Sequence, residues 1–539
     1  MTDLNGDIVY EIIEHIAQRD RQTILSNLSL VNRSFFHTTR PLLFADVKWP
    51  HRDKIDKTEL AFFPERLWGY FKTFHFDWPA RWPESHPPLW GTKDGDKYTP
   101  SHLDKLEAAL PSMTDLHTFQ VTCPFDPPAS LFQVLRECTS IKDLRITDTP
   151  IWDALKEPDA PILFTAPRIT FVPVGEGARV GEGPFDRKFH DSSYYMVEYR
   201  RKYWNLTQKR ARLNYFPTGW SFLLRCRVET MTYLQLSGDY CSLDHFRNPR
   251  FSFPVLETLI LTGPSPSVGP GSMMTLPAVI SLMPKLRDLR LLIGKHSTPT
   301  QPPLSMVPGD PEAPLSVYGQ LTSLAMSNAV QKTETVLRYA NGLERLALSA
   351  IIHHPRVPIA LKRNEIDKVL DEIWEGGGGK RLKQFRIMSE DDFDVALPIK
   401  LGEVCPMLEV VELERCGHLH GDEDAQLWDE YANAFAQYRH LKELRIGIRF
   451  PACEHDSEPQ CNPCILDWRQ RCAKHFAQRL PKLKRIGLEY RARTSSHRYE
   501  DRWMDFDIIR QADGSFKVVE LPTTWYQFPE VWEYVPLEE

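Results

Sequence analysis

Along most of the chain, apolar residues recur in one fixed phrase: an apolar residue, Pro, any residue, Leu, two residues, an apolar residue, one residue, Leu. It reads Phe253-Pro254-x-Leu256-x-x-Leu259-x-Leu261, then Met283-Pro284-x-Leu286-x-x-Leu289-x-Leu291. It returns as Cys405-Pro406-x-Leu408-x-x-Val411-x-Leu413 and Leu480-Pro481-x-Leu483-x-x-Ile486-x-Leu488. Looser copies without proline run through Phe71/Phe74/Phe76, Leu116/Phe119/Val121, Ile141/Leu144/Ile146 and Met231/Leu234/Leu236. Others are Leu321/Leu324/Met326, Leu343/Leu346/Leu348, Leu382/Phe385/Ile387 and Leu441/Leu444/Ile446. Copies with proline follow helical stretches such as Trp468/Cys472/Phe476/Leu480, and Ile366/Val369/Leu370/Ile373 leads into a looser copy. The alternation in each phrase predicts a short strand, and the 3.6-residue spacing before it a helix.

One unit follows physically. A helix buries one face, a proline ends it, and a strand turns alternate leucines inward. Stacked units bury a continuous core that no single unit could close alone. The phrase resembles the leucine-rich repeat, which implies an irregular horseshoe of about a dozen coils over residues 60–490, parallel strands inside and helices outside. Only Cys416 stands at the usual Asn/Cys position after a strand, so no continuous side-chain ladder is expected there. Pro/Gly/Ser-rich or overlong stretches near 172–226, 294–320 and 451–464 read as insertions. In the tail, 491–539, Phe506/Ile508/Arg510 and Phe516/Val518 flank Asp513-Gly514, a hairpin signal, and Trp525, Tyr526, Phe528, Trp532 and Tyr534 follow. That tail is expected to cover the open face of the last coil.

Residues 1–46 are patterned differently. Leu4, Ile8 and Ile12 share one helical spacing and Val9, Ile13 and Ile16 the next; Ile24, Leu25, Leu28, Val31 and Phe35 form a second series. Two or three helices this short cannot close a core of their own, so they must dock on something. L-N-G-D-I-V-x-x-I-I-x-x-I followed by I-L-x-x-L-S-L-V-N-R-S-F resembles the F-box, the motif that binds the Skp adaptor of SCF ubiquitin ligases. Leu4-Asn5 stands where the family commonly has Leu-Pro, and Phe35 where many members have Trp. The fold class is therefore α/β: a short all-helical F-box module, an irregular leucine-rich-repeat horseshoe, and a C-terminal hairpin cap. The resemblance implies Leu4, Ile8, Val9, Ile12, Ile13, Leu25, Leu28, Val31 and Phe35 as adaptor-binding residues.

Composition narrows the chemistry. The 539 residues carry 66 Lys and Arg against 72 Asp and Glu, a formal charge of −6, which disfavours nucleic-acid binding through the whole surface. No uninterrupted apolar run reaches about 18 residues, so no membrane span is expected. Ten cysteines without a secretory pattern read as reduced thiols, and place the chain in cytoplasm, nucleus or both. Cys453, His455, Cys461, Cys464 and Cys472 form a C-x-H-x5-C-x2-C-x7-C cluster. They are read as plain thiols with no cofactor; a zinc site is the alternative. Arg200, Arg201, Lys202 and Arg210, set among tyrosines, read as a solvated helical face, with capture of an acidic or phosphorylated substrate as the functional alternative. No nucleophile elbow, phosphate loop, zinc-protease or dinucleotide signature occurs, so no enzyme is expected. The reading is a non-catalytic substrate receptor that joins a Skp-type adaptor, and through it a cullin-RING ligase, to a protein of unknown identity. A repeat scaffold with no ligase role is the alternative.

Overall fold

The computed structural model describes residues 21–31, 33–49, 62–77, 100–122, 129–147, 164–172, 223, 226–238, 243–247, 251–264, 266, 275–294, 304–306, 315–327, 330, 333–349, 360–389, 394–415, 426–448, 462–493, 499–521, 524–527 and 530–536. The chain forms two compact units: Met1–Gly175 with Phe216–Leu236, and Glu176–Tyr215 with Ser237–Glu539.

The repeated phrase has a specific backbone meaning. Its first carbonyl accepts a hydrogen bond from the N–H three residues on: Leu286 to Met283 at 3.0 Å, Leu483 to Leu480 at 3.1 Å, Leu256 to Phe253 and Leu408 to Cys405 at 3.4 Å. Each is a β-turn with Pro254, Pro284, Pro406 or Pro481 at its second position, where the fixed φ of proline is already correct. Copies without proline make the same bond, as in Leu116 to Met113 at 3.1 Å and Leu321 to Tyr318 at 3.1 Å. The proline thus shapes the turn into the strand as well as ending what precedes it.

In the first unit, α1 (Arg21–Ser29) and α2 (Arg33–Leu43) form a helical hairpin that leads directly into β1 (Asp46–Trp49). The strand β1 pairs in parallel with β2 (Thr73–Asp77), so the sheet begins before residue 60. The strands β3 (Thr118–Thr122), β4 (Asp143–Thr147), β5 (Arg168–Val172) and β6 (Tyr233–Ser237) follow in register, with α3 (Pro100–Ala109) and α4 (Ala129–Glu137) between β2 and β4. Phe74, Phe119, Ile146, Phe171 and Leu234 are buried, and Phe74 stacks on Phe119 at 5.9 Å. Neither β1 nor β5 was among the expected strands, although both keep the loose spacing: Phe44/Val47/Trp49 begins in the segment read as the helical module, and Ala166/Ile169/Phe171 opens on a small Ala.

The second unit stacks β7 (Thr258–Pro264), β8 (Asp288–Gly294), β9 (Ser323–Ser327), β10 (Arg345–Ser349), β11 (Gln384–Ser389), β12 (Val410–Arg415), β13 (Glu443–Ile446) and β14 (Arg485–Arg493), all parallel. The helices α5 (Leu276–Ser281), α6 (Thr333–Leu337), α7 (Arg363–Glu375), α8 (Ala396–Val404), α9 (Gln426–Phe435) and α10 (Asn462–Arg479) alternate with them. Ile366, Val369, Leu370 and Ile373 of α7 are buried, as their spacing predicts, with Trp374 exposed on the opposite side. The stretch 294–320 is only partly an insertion. Its Pro and Gly content hides Leu304, Met306 and Tyr318, all buried, with the Tyr318 hydroxyl donating to the Met306 carbonyl at 2.6 Å. At 451–464 the helix α10 already starts at Asn462.

The end of the chain closes the sheet with a change of direction. The long strand β15 (Tyr499–Arg510) runs antiparallel to β14, and β16 (Phe516–Glu520) runs antiparallel to β15 through the expected turn, where Gly514 takes φ 85°. The strands β17 (Thr524–Gln527) and β18 (Glu530–Pro536) form a second antiparallel pair, and Thr524 touches β15 opposite Trp503. Deleting residues 499–539 should leave β14 as a bare edge with Ile486 and Leu488 uncovered on that side. The truncated protein should aggregate on size-exclusion chromatography and melt several degrees lower; an unchanged profile and midpoint would contradict the closure.

Candidate functional site

The helical hairpin sorts its apolar residues into two groups. Leu25 is buried at 2% exposure, with Leu28, Phe35, Leu42 and Leu43 packed against it. The apolar series that the sequence joins through Val31 is broken instead by a turn, where the Leu30 and Val31 N–H groups donate to the Asn27 and Leu28 carbonyls at 3.1 Å. That turn pushes Leu30 and Val31 outward, 83% and 63% exposed, and Phe36 follows at 39%. Leu25, expected from the resemblance to bind the adaptor, lies in the hairpin core. Leu30 and Phe36, which the motif match did not single out, belong to the exposed group. Arg40 ties the hairpin to the sheet: it donates to the Arg66 carbonyl at 2.7 Å and lies 4.7 Å over the Tyr70 ring. Leu4, Ile8, Val9, Ile12 and Ile13 lie outside the described residues.

Strand residues alternate between two faces, so the positions between the buried leucines form a second, helix-free face. In the first unit this face is polar: Asp46, His75, Gln120 and Arg145 are at least partly exposed, while Asp143, Thr170 and Gln235 are buried. His75 bridges Asp46 at 3.1 Å and Gln120 at 3.2 Å, and that hydrogen bond from His75 holds Asp46 below the usual carboxylate range. Gln120 donates to Thr122, which shares a 2.9 Å hydrogen bond with Thr147. Asp143 pairs with Arg145 at 2.7 Å, and Arg168 lies 4.2 Å over the Tyr233 ring.

In the second unit the equivalent positions are buried: apolar at Ile260, Ala325 and Ala347, charged at Arg290 and, Gly487 apart, from β11 onward. The register aligns Arg386, Glu412, Arg445, Gly487 and Asp505 across β11 to β15. Arg386 pairs with Glu412 at 2.9 Å and with Glu414 at 3.4 Å. Arg445 reaches past Gly487 to hold Asp505 with two bonds, 3.1 and 3.2 Å long. A Cβ at Gly487 would stand on the Asp505 carboxylate and the Arg445 stem, so only glycine leaves that path open. These groups are sealed in part by the chain's own tail: Arg386 donates to the Val531 carbonyl at 3.2 Å, Val531 is buried, and Trp532 lies 5.2 Å under Arg345. Around β10 and β11, a face that a partner would otherwise meet is already occupied. Charged residues alternating with leucines, as in Glu412-Leu413-Glu414, were the available signal for this ladder.

Arg200, Arg201, Lys202 and Arg210 lie outside the described residues, as do Cys453, His455 and Cys461; for Cys464 only the backbone, inside α10, is described. Cys472, read from the sequence as a plain thiol, is fully buried within α10, and burial drives its thiol above the ordinary range. The Cys138 and Cys405 thiols are likewise pushed up, to about 11 and about 12. Among the described residues no three His, Cys, Asp or Glu side chains converge as a metal set, and no helix is long and apolar enough to cross a membrane.

Comparison with known proteins adds little. No family model matches the chain, the helical module included, and no curated protein matches it. A solved internalin from Listeria monocytogenes is similar over 64% of this chain and 78% of its own, at 10% identity and a TM-score of 0.30, a level that carries no argument. What the structure shows is a repeat architecture, long stacks of parallel strands with helices or short turns between them. Neither the leucine-rich-repeat resemblance nor the F-box resemblance has support beyond the residues that suggested it.

Two outcomes test the buried ladder. Arg445→Ala removes both of its bonds to the fully buried Asp505 and should cost about 3–5 kcal/mol in urea unfolding, while Arg445→Met with Asp505→Leu should recover most of it. Equal losses in both variants would contradict the pairing. Burial pushes Glu412 up to about 7, against the pull of Arg386 and Arg445, from an ordinary 4.5. With the folded value raised, its contribution is complete below about 4.5 and is lost as pH rises through about 7. The wild-type melting midpoint, measured against Glu412→Gln, should therefore fall between about pH 5 and about pH 8, and a gap independent of pH would refute the shift.

Proposed function

We propose that this chain is a protein-binding repeat protein that serves as the substrate-recognition subunit of an SCF-type ubiquitin ligase, in cytoplasm or nucleus. The observation that carries the reading is the apolar surface of Leu30, Val31 and Phe36, which the hairpin leaves out of its own core. It lies within the segment whose sequence resembles the F-box, and a helix-in-groove partner such as the Skp adaptor would cover it. Ubiquitin transfer would occur on the other subunits of the ligase; this chain would supply proximity and orientation. The target protein would meet the partly exposed polar face of the first unit, from Asp46 through Arg168, rather than the tail-covered strands β10 and β11.

A second reading, a repeat scaffold with no ligase role, is favoured by the absence of any family match to the helical module. Adaptor binding separates the two. Full-length protein should pull down a purified Skp adaptor, and Val31→Asp should weaken that binding about a hundredfold or more, since a carboxylate would be buried without a partner. Val31 is outside the hairpin core, so the variant should melt with the wild type. Leu25→Ala, by contrast, should loosen the hairpin itself by about 2–5 kcal/mol. If wild-type protein binds no adaptor where an established F-box protein does, the scaffold reading replaces the ligase one.

A further inference from the structure

The edge of the second unit where its strands begin carries an ordered row of charges. Each position just before a strand is locked to the next by backbone: the Lys383 N–H donates to the Glu344 carbonyl, Glu409 to Lys383, Lys442 to Glu409 and Lys484 to Lys442, at 2.7–2.8 Å. Side chains in this row pair in twos. Lys383 binds Glu344 at 2.9 Å, and Lys442 binds Glu409. The next member breaks the alternation. Lys484 follows Lys442 directly and has no acid among the described residues. Its own carbonyl accepts the Ile508 N–H of β15, and beside that residue Ile509 is 53% exposed.

Lys484 and Ile509 line a cavity of about 710 Å³. Its other cations do not neutralise one another. Lys482 donates to the Arg439 carbonyl and Arg510 to the carbonyls of Ala477 and Leu480, neutral partners that leave both charges uncompensated. Two carboxylates also line the groove, Asp507, paired with Arg485 at 2.9 Å, and Glu443, which acts on the same Arg485, and Lys442 is held by Glu409; Lys482, Lys484 and Arg510 are left in excess. A positive groove with an exposed isoleucine therefore sits on a chain whose formal charge is −6.

We infer that this groove docks an acidic segment of a partner protein that carries an aliphatic residue: the acids answer Lys482, Lys484 and Arg510, and the aliphatic side chain covers Ile509. The inference rests on reading the chain as a protein-binding repeat protein. Nucleic acid fits less well, because the described lining offers no Phe, Tyr or Trp for a base to stack on. A free anion would have no use for Ile509.

The test is fluorescence anisotropy with full-length protein, without adaptor, so that failure of the ligase reading leaves it intact. The probe is a labelled peptide of about ten residues, glutamates with two leucines, the length of an extended recognition segment. Lys484→Glu should weaken binding about tenfold and Ile509→Ser several-fold, with unchanged melting midpoints, and added salt should weaken the wild type. A lysine version of the peptide should not bind. The proposal is overturned if Lys484→Glu binds as the wild type does. It is also overturned if a leucine-free glutamate peptide binds equally well, or if inorganic phosphate or a single-stranded thymidine oligonucleotide displaces the probe at matched charge.

Discussion

One backbone arrangement sets the register of the second unit. The carbonyl just before each strand accepts two N–H groups from the next coil: Arg287 and Asp288 on Glu257, Thr322 and Ser323 on Arg287, and so on to Lys484 and Arg485 on Lys442. Because side chains alternate strictly along a strand, a slip of one residue would send every leucine to the wrong face. The double acceptor and the preceding turn together forbid that slip. The leucines then align in the core, the residues between them align on the helix-free face, and those before the strands align along the edge. The buried ladder from Arg386 to Asp505 and the edge row from Glu344 to Lys484 are both consequences of this one constraint.

The buried ladder also sets the second unit apart from the first. Charges at Arg386, Glu412 and Arg445 would be costly beneath a cover unless paired, and breaking such pairs is expensive. Strand β15, by placing Asp505 opposite Gly487, and the Val531 carbonyl supply what they need. The tail therefore does more than shield the last coil: it provides hydrogen-bonding partners to strands well inside the stack. In the first unit the corresponding polar residues satisfy one another, as His75 does with Asp46 and Gln120, and several stay at least partly exposed.

Much of this architecture is legible in the chain. Phrases as loose as Leu321/Leu324/Met326 mark strands because three alternating apolar residues after a turn suffice when neighbours repeat the pattern. The strand β5 escapes because small Ala166 stands before Ile169 and Phe171 where the other loose copies have Leu, Ile, Phe or Met. The candidate site is less legible. Apolar spacing runs Leu25, Leu28, Val31 and Phe35 into one helical series but does not show which of them face inward; the turn at Leu30 and Val31 decides that, and its signals, Asn27, Ser29 and Asn32, are polar residues that the apolar spacing passes over. Cys472 reads as a plain thiol on the apolar spacing of α10, and its burial agrees. The charge ladder depends on contacts more than 50 residues apart, Arg445 to Asp505, which no local pattern encodes.

On the function proposed above, the hairpin docks the adaptor while the strands beneath the tail are already closed. Amide hydrogen exchange on the full-length chain, with and without purified Skp adaptor, addresses both parts at once. Adaptor should slow exchange around Leu30–Phe36 and leave the amides of β11 to β14 unchanged, slow in both states. No new protection at the hairpin, or adaptor-dependent protection confined to β11–β14, would contradict the account.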